Sequence, residues 1–149
     1  MKTSVEFIDS NEEELAKFKV HKLTPALENV LAILNKEDQF LLGEEAGSLY
    51  KLPISDILYI EVVDKKSFIY TQDLVCQSSD KLYQLEEQLA PFKFIRTSKS
   101  MLLNIEAIKA ISPTFSGRFE ALLTNEERVA ISRKYVPDLK KGLGMERKK

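Results

Sequence analysis

The chain has one cysteine (Cys76), one histidine (His21), no tryptophan and only five glycines in 149 residues. A single cysteine excludes a disulfide within the chain, and a single histidine leaves no cluster at metal-ligand spacing. The glycines form no GxGxxG fingerprint or other phosphate-cradling loop, and no nucleophile has a base close by in sequence. These gaps argue against an enzyme and against a cofactor. Long hydrophobic runs are missing too: the longest, Val30 to Leu34, is far short of a membrane span. The N-terminus MKTSVEF lacks the apolar centre of a signal peptide, so a cytoplasmic location is the expectation.

What is present is an ordinary globular composition, 44% apolar and 30% charged, on a chain long enough for one domain with a small appendage. The formal net charge of -1 conceals an asymmetry. Residues 1–50 carry 5 Lys against 10 acids, residues 51–92 carry 4 against 7, and residues 93–149 carry 13 Lys or Arg against 6, giving -5, -3 and +7. A basic region on an otherwise acidic molecule is the pattern of a polyanion-binding face. Within it lies FIRTSKSMLLN, where Arg96, Thr97, Ser98, Lys99 and Ser100 separate two apolar blocks. The flanks should bury themselves while the polar centre stays at the surface as a presented loop. Its cations and small hydroxyls are donors suited to phosphates and base edges. A solvated turn is the plainer alternative.

The rest of the chain reads as mainly β. Val5 and Phe7, then Ala16, Phe18 and Val20, alternate with polar residues and suggest two strands, with a capping box at Ser10–Glu13 starting a helical turn between them. Thr24 and Pro25 stand at N-cap and first-turn positions ahead of Leu27, Val30, Leu31 and Leu34, predicting a helix over 25–35. These elements make a small acidic α/β unit over residues 1–45. Strands follow at QFLLG, SLYKL, DILYIEVV, SFIY and LVCQ, the third and fourth separated by the polar turn Asp64, Lys65, Lys66. A short amphipathic helix carrying Leu82, Leu85 and Leu89 lies between Ser79 and Pro91. EAIKAI, RFEALL and RVAI give three more strands, and SRKYVPDLKKGLG closes as a turn and a short helix ending near Gly142 or Gly144. Residues 46–145 thus form the second unit, and ERKK at 146–149 is expected to fray.

Taken in order and spacing, ILYIE and FIY around a polar turn, LYQLEEQL, FIRTSKSMLLN with IEAIKAI, and VAISRKYVPDLKKGL resemble the LytTR DNA-binding domain of bacterial transcription regulators. The likeness covers about residues 50–144. It implies an elongated all-β module that binds duplex DNA sequence-specifically, placing loops between strands into successive major grooves. The first DNA-facing loop would be Asp64–Ser67, with Lys65 and Lys66 on phosphates and Ser67 where a larger side chain sometimes makes contact. The second would be Thr97–Ser100, flanked by Arg96; here Ser98 and Lys99 replace the family's His and Arg or Asn, so Lys99 keeps charge without the planar fork. In the third, Ser132–Lys134, Arg133 keeps that fork and is the best base-reading candidate, with Lys134 beside it. The first fifty residues are too few for a phospho-acceptor receiver domain, so the resemblance is to stand-alone regulators. It implies repeated DNA sites occupied by two copies, and control by a membrane-protein partner or by abundance. The helix over 25–35 is the candidate homodimer contact.

Several residues read as structural: Phe94, Met101, Leu102 and Leu103 as core, Asn104 as a turn-closing amide, Cys76 as a buried small hydrophobe, and Arg118 and Lys109 as solvent-facing strand charges. Phe115 is expected to pack under its loop and His21 to be exposed. Arg133 and Lys134 have a structural alternative, capping the terminal helix or pairing with Glu126 and Glu127. Two other functions fit the composition: a protein-interaction module whose basic face meets an acidic partner, and an RNA-binding β domain. The second lacks obvious exposed aromatics, since Tyr59 and Tyr70 lie in apolar strands.

Overall fold

The computed structural model of the chain describes residues 1–35 and 39–145. Helix α1 (Pro25–Leu34) starts where Thr24 accepts from the Leu27 N–H, as the Thr-Pro signature requires. Then come β1 (Phe40–Glu45), β2 (Ser48–Pro53), β3 (Ile57–Val63), β4 (Lys66–Thr71), β5 (Val75–Ser78), α2 (Leu82–Gln88), β6 (Phe94–Ser98), β7 (Met101–Asn104), β8 (Ile108–Pro113), β9 (Phe119–Leu123), β10 (Arg128–Ile131) and α3 (Val136–Gly142). Every strand pairing is antiparallel. Seven strands form one sheet in the order β2-β1-β5-β4-β3-β7-β6, and three form a second in the order β10-β9-β8. The fold is mostly β, as expected.

Two apolar layers lie on opposite faces of the large sheet. One joins Ile60, Ile69, Cys76 and Leu102 to Leu82 and Leu85 of α2 and to Leu89 at its C-cap. The other joins Leu58, Tyr59 and Leu103 to Ala121, Leu123, Val129 and Ile131 of the small sheet and to Val136 and Leu139 of α3. β3 and β7 are therefore buried on both faces, which is why ILYI and MLL are apolar without alternation. A register shift between Ile57 and Tyr59 turns Leu58 and Tyr59 toward the same layer. Two polar side chains in this interior are paired, while the buried Thr97 hydroxyl has no partner among the described residues. Asn104 donates to the Ile57 carbonyl at 2.8 Å and accepts from the Glu106 N–H at 3.0 Å, so it is structural as read. Tyr59 stacks on Tyr70 at 4.4 Å and donates to Glu127 Oε2 at 2.8 Å, tying the large sheet to the β9–β10 turn.

The N-terminal unit departs from expectation. Residues 1–23 form no strand, so neither Val5–Phe7 nor Ala16–Val20 pairs with anything. Alternation needs a neighbouring strand to become a ladder, and these side chains are exposed apart from the half-buried Phe18. The expected helical turn is one hydrogen bond, from the Glu12 N–H to the Asp9 carbonyl. α1 itself is present, with only Leu27 buried, close to Ala90–Phe92. β1, placed by its sequence with the N-terminal unit, pairs with β2 and β5 in the main sheet. The tail at 146–149 lies outside the described residues.

Two outcomes follow from this packing. A Cβ on Gly43 would stand 2.6 Å from Cys76 Cβ and 3.1 Å from Leu52 Cδ1, so Gly43→Ala should cost about 1–3 kcal/mol in a urea melt. Burial, followed by the Glu127 carboxylate, pushes the Tyr59 hydroxyl well above the ordinary tyrosine range, and Tyr70 is raised in the same direction. A folded-state pKa raised above the unfolded one means that the folded protein holds the proton longer. Stability is therefore full below about pH 10 and falls as pH rises beyond it. Tyr59→Phe should flatten that alkaline loss, measured as melting temperature against pH, while costing about 1 kcal/mol at neutral pH for the hydrogen bond.

Candidate nucleic-acid interface

The three sequence-predicted loops meet at one end of the large sheet. β3 ends and β4 begins at a two-residue turn, Asp64 and Lys65, between the paired Val63 and Lys66. Both turn residues adopt left-handed φ, 51° and 64°, the mirror-type geometry that matches strand twist. β6 and β7 close through Lys99 and Ser100, with Ser98 paired to Met101. β10 ends at Ile131, and Ser132 leads through the 3-10 turn Arg133–Tyr135 into α3. Two backbone hydrogen bonds lock these together: Val62 N–H to the Ser100 carbonyl at 2.8 Å, and Ser132 N–H to the Thr97 carbonyl at 2.9 Å. The first bond fixes the second loop against the first, and the other fixes the third against the second.

Lys65, Lys66, Lys99, Arg133 and Lys134 are exposed there. Among the described residues the first four have no ion-pair or side-chain hydrogen-bond partner, and Lys134 Nζ lies 5.5 Å from the centre of the Tyr135 ring. Arg133 and Lys134 do not pair with the β9–β10 turn, because Glu126 holds Lys109 at 2.8 Å and Glu127 holds Tyr59 and Asn125. Other expectations change. Ser67 is buried, its alternate position on β4 turning it inward beside Val62 and Ser78. Arg96 and Thr97 belong to β6 rather than to the loop, and Thr97 is fully buried because its strand position faces the core. Ser98 accepts from the Ser100 N–H at 3.2 Å and its hydroxyl lies 3.3 Å from that of Ser100. The presented segment is shorter than its polarity suggested, essentially Lys99 and its serine neighbours.

Arg118 was missed. It precedes β9 and, with Ser116, Ser132, Arg133, Lys134 and Pro137, lines a cleft of about 670 Å³. Gly117 has φ 76°, and a Cβ there would meet Arg133 Cδ at 3.0 Å, so the β8–β9 turn supports the Arg133 stem. Ser116 is also left-handed, at φ 60°. Phe115, at the tip of the same turn, is 91% exposed rather than packed beneath it. The sequence signal was the SGR run after a proline, which marks a turn without revealing what lies across it. Three cations around one cleft, with two serine hydroxyls, can receive an anion such as a backbone phosphate.

Over residues 47–144, from the start of β2 to the end of α3, the chain matches the LytTr DNA-binding domain family and belongs to it. The fold is similar to the LytTr DNA-binding domain of a putative methyl-accepting/DNA response regulator from Bacillus cereus, with TM-score 0.67 and 30% identity, over 70% of this chain and 96% of that one. Sensory transduction protein LytT of Enterococcus faecalis is 31% identical over 97 residues, 65% of this chain and 40% of its own length. An uncharacterized HTH-type transcriptional regulator of Staphylococcus aureus (strain bovine RF122 / ET3-1) is 27% identical over 143 residues, 93% of this chain and 96% of that one. The chain thus spans about two fifths of LytT but nearly all of the staphylococcal regulator. Residues 1–46 lie outside the family match.

Because Lys65, Lys99 and Arg133 are exposed and unpartnered among the described residues, replacing each by Ala should change unfolding free energy by no more than about 0.5 kcal/mol. Chemical denaturation of the three variants checks this.

Proposed function

We propose that the chain is a cytoplasmic transcription regulator that reads duplex DNA through the three-loop end of its large sheet, with the loops entering successive major grooves. The supporting observation is the pair of backbone bonds, Val62 to Ser100 and Ser132 to Thr97, which hold three separately encoded cationic loops in one frame. Lys65, Lys66, Lys99, Arg118 and Lys134 neutralise phosphates and release counterions, which sets register. Arg133, whose fork can meet O6 and N7 of guanine together, reads bases, with Lys99 as a second, less directional reader. Repeated sites and two copies suit a module of this size. α1, which leaves Val30, Ile33 and Leu34 largely exposed, is the candidate contact between copies. A membrane-protein partner is the proposed source of control.

Phe115 favours one second reading. An exposed ring at the rim of a cationic cleft is a stacking platform for a single-stranded base, as in RNA-binding β domains.

The experiment is selection from randomised duplex DNA by the purified chain, with Arg133→Ala in parallel and salt varied. A recurring repeat should emerge, its affinity falling steeply with salt, and Arg133→Ala should lose about 1–3 kcal/mol and relax the sequence at one position. No enrichment at low or high salt would sink the duplex reading. Competition by single-stranded RNA that is lost in Phe115→Ala would replace it with the second.

A further inference from the structure

Arg96 looks from sequence like a DNA contact, yet its guanidinium is already committed on two sides. Nη1 donates to the Lys99 carbonyl at 2.8 Å, across the turn it precedes. Nε and Nη2 both point to Glu86 Oε1, at 3.3 and 3.2 Å, on the exposed face of α2. The side chain is 21% exposed and that of Glu86 46%. With this bond the loop is fixed residue by residue. The Thr97 carbonyl accepts from Ser132, the Ser98 hydroxyl from the Ser100 N–H, the Lys99 carbonyl from Arg96, and the Ser100 carbonyl from Val62. Of these four, the Lys99 anchor is the one made by a side chain from outside the loop, and that side chain is itself held by Glu86 of α2.

We infer that Glu86 and Arg96 form a clamp that positions Lys99, so that α2 helps set sequence readout without touching nucleic acid. The inference rests on the duplex reading above for its consequence, but not for its geometry. A lysine side chain has four rotatable bonds and one compact charge, so it discriminates between bases only if its backbone is held still. The Arg96 fork supplies that restraint because it is planar and delivers donors in fixed directions. Glu86 orients the fork. An acid this close to a DNA-facing loop also repels phosphate, so a carboxylate here would oppose binding unless it had another task.

That opposition gives a test with opposite signs. Glu86→Ala, Arg96→Gln, Arg96→Lys and Lys99→Ala would be titrated, as full chains, with the selected duplex and with an unrelated one over a range of salt. If the clamp positions Lys99, Glu86→Ala weakens specific binding roughly tenfold although it removes a negative charge, and the salt slope stays that of the native chain. Arg96→Lys, which keeps charge but not the fork, is then as weak as Arg96→Gln. Adding either change to Lys99→Ala costs little more. If Arg96 is instead a phosphate contact, Glu86→Ala binds as well or more tightly, Arg96→Lys is near native, and Arg96→Gln lowers the salt slope by roughly 0.9; that result overturns the clamp. Amide hydrogen exchange in the free protein separates this from failure of the duplex reading. Glu86→Ala should speed exchange at Val62, whose N–H is held by the loop, and unchanged exchange there overturns the clamp even if no duplex binds.

Discussion

Burial of β3 and β7 on both faces is the constraint on which the rest of the molecule depends. Ile60 and Leu102 face the α2 layer, while Tyr59 and Leu103 face the small sheet. A slip of one residue in either strand would exchange these sets and drive apolar side chains into the wrong layer, so register is strongly specified. Because β3 and β7 run antiparallel with Glu61 opposite Met101, their loop ends must coincide. The adjacency of the Asp64–Lys65 turn and the Lys99 turn is thus a consequence of core packing. The three-loop end needs no apolar cluster of its own.

At that end hydrogen bonding takes over from apolar packing. Hairpin tips are where chains loosen, and a lysine-bearing tip would sample many positions if left to itself. Here the tips are cross-linked by backbone bonds, while Arg96 braces Lys99 and Gly117 lies against the stem of Arg133. Backbone order and side-chain freedom therefore coexist in the same few residues. The cations stay exposed to solvent while the frame that carries them is held.

Local pattern made most of this legible. The helix at Pro25–Leu34, the strands from Phe40 to Ser78, the leucine helix at Leu82–Gln88 and the closing helix at Val136–Gly142 were read from spacing and capping, which are short-range signals. Readings failed where the outcome depended on a partner far along the chain. Val5–Phe7 has strand alternation but no neighbour to pair with. Ser67 looked like part of a polar turn, yet strand parity turns it inward. Nothing local showed that Arg96 would meet Glu86, ten residues earlier. Arg118 is exposed as read, and what local pattern could not show is the cleft it lines with Arg133 and Lys134. The ordered motif set nonetheless pointed to the family, since order and spacing of several motifs survive errors in any one of them.

The two candidate base readers differ in how much of their specificity is built into the side chain. Arg133 carries its own geometry: a planar fork matches two acceptors on one base edge wherever the stem is adequately supported, and the Gly117 backbone gives that support without a Cβ to displace it. Lys99 carries none, so any discrimination it makes must come from where its Cα is held. The loop around Lys99 is accordingly the more heavily braced of the two, with the Val62, Arg96 and Ser98 bonds all converging on three residues. In the readout proposed above, the burden of specificity at Lys99 thus falls on the scaffold behind it, and Glu86, through Arg96, belongs to that scaffold.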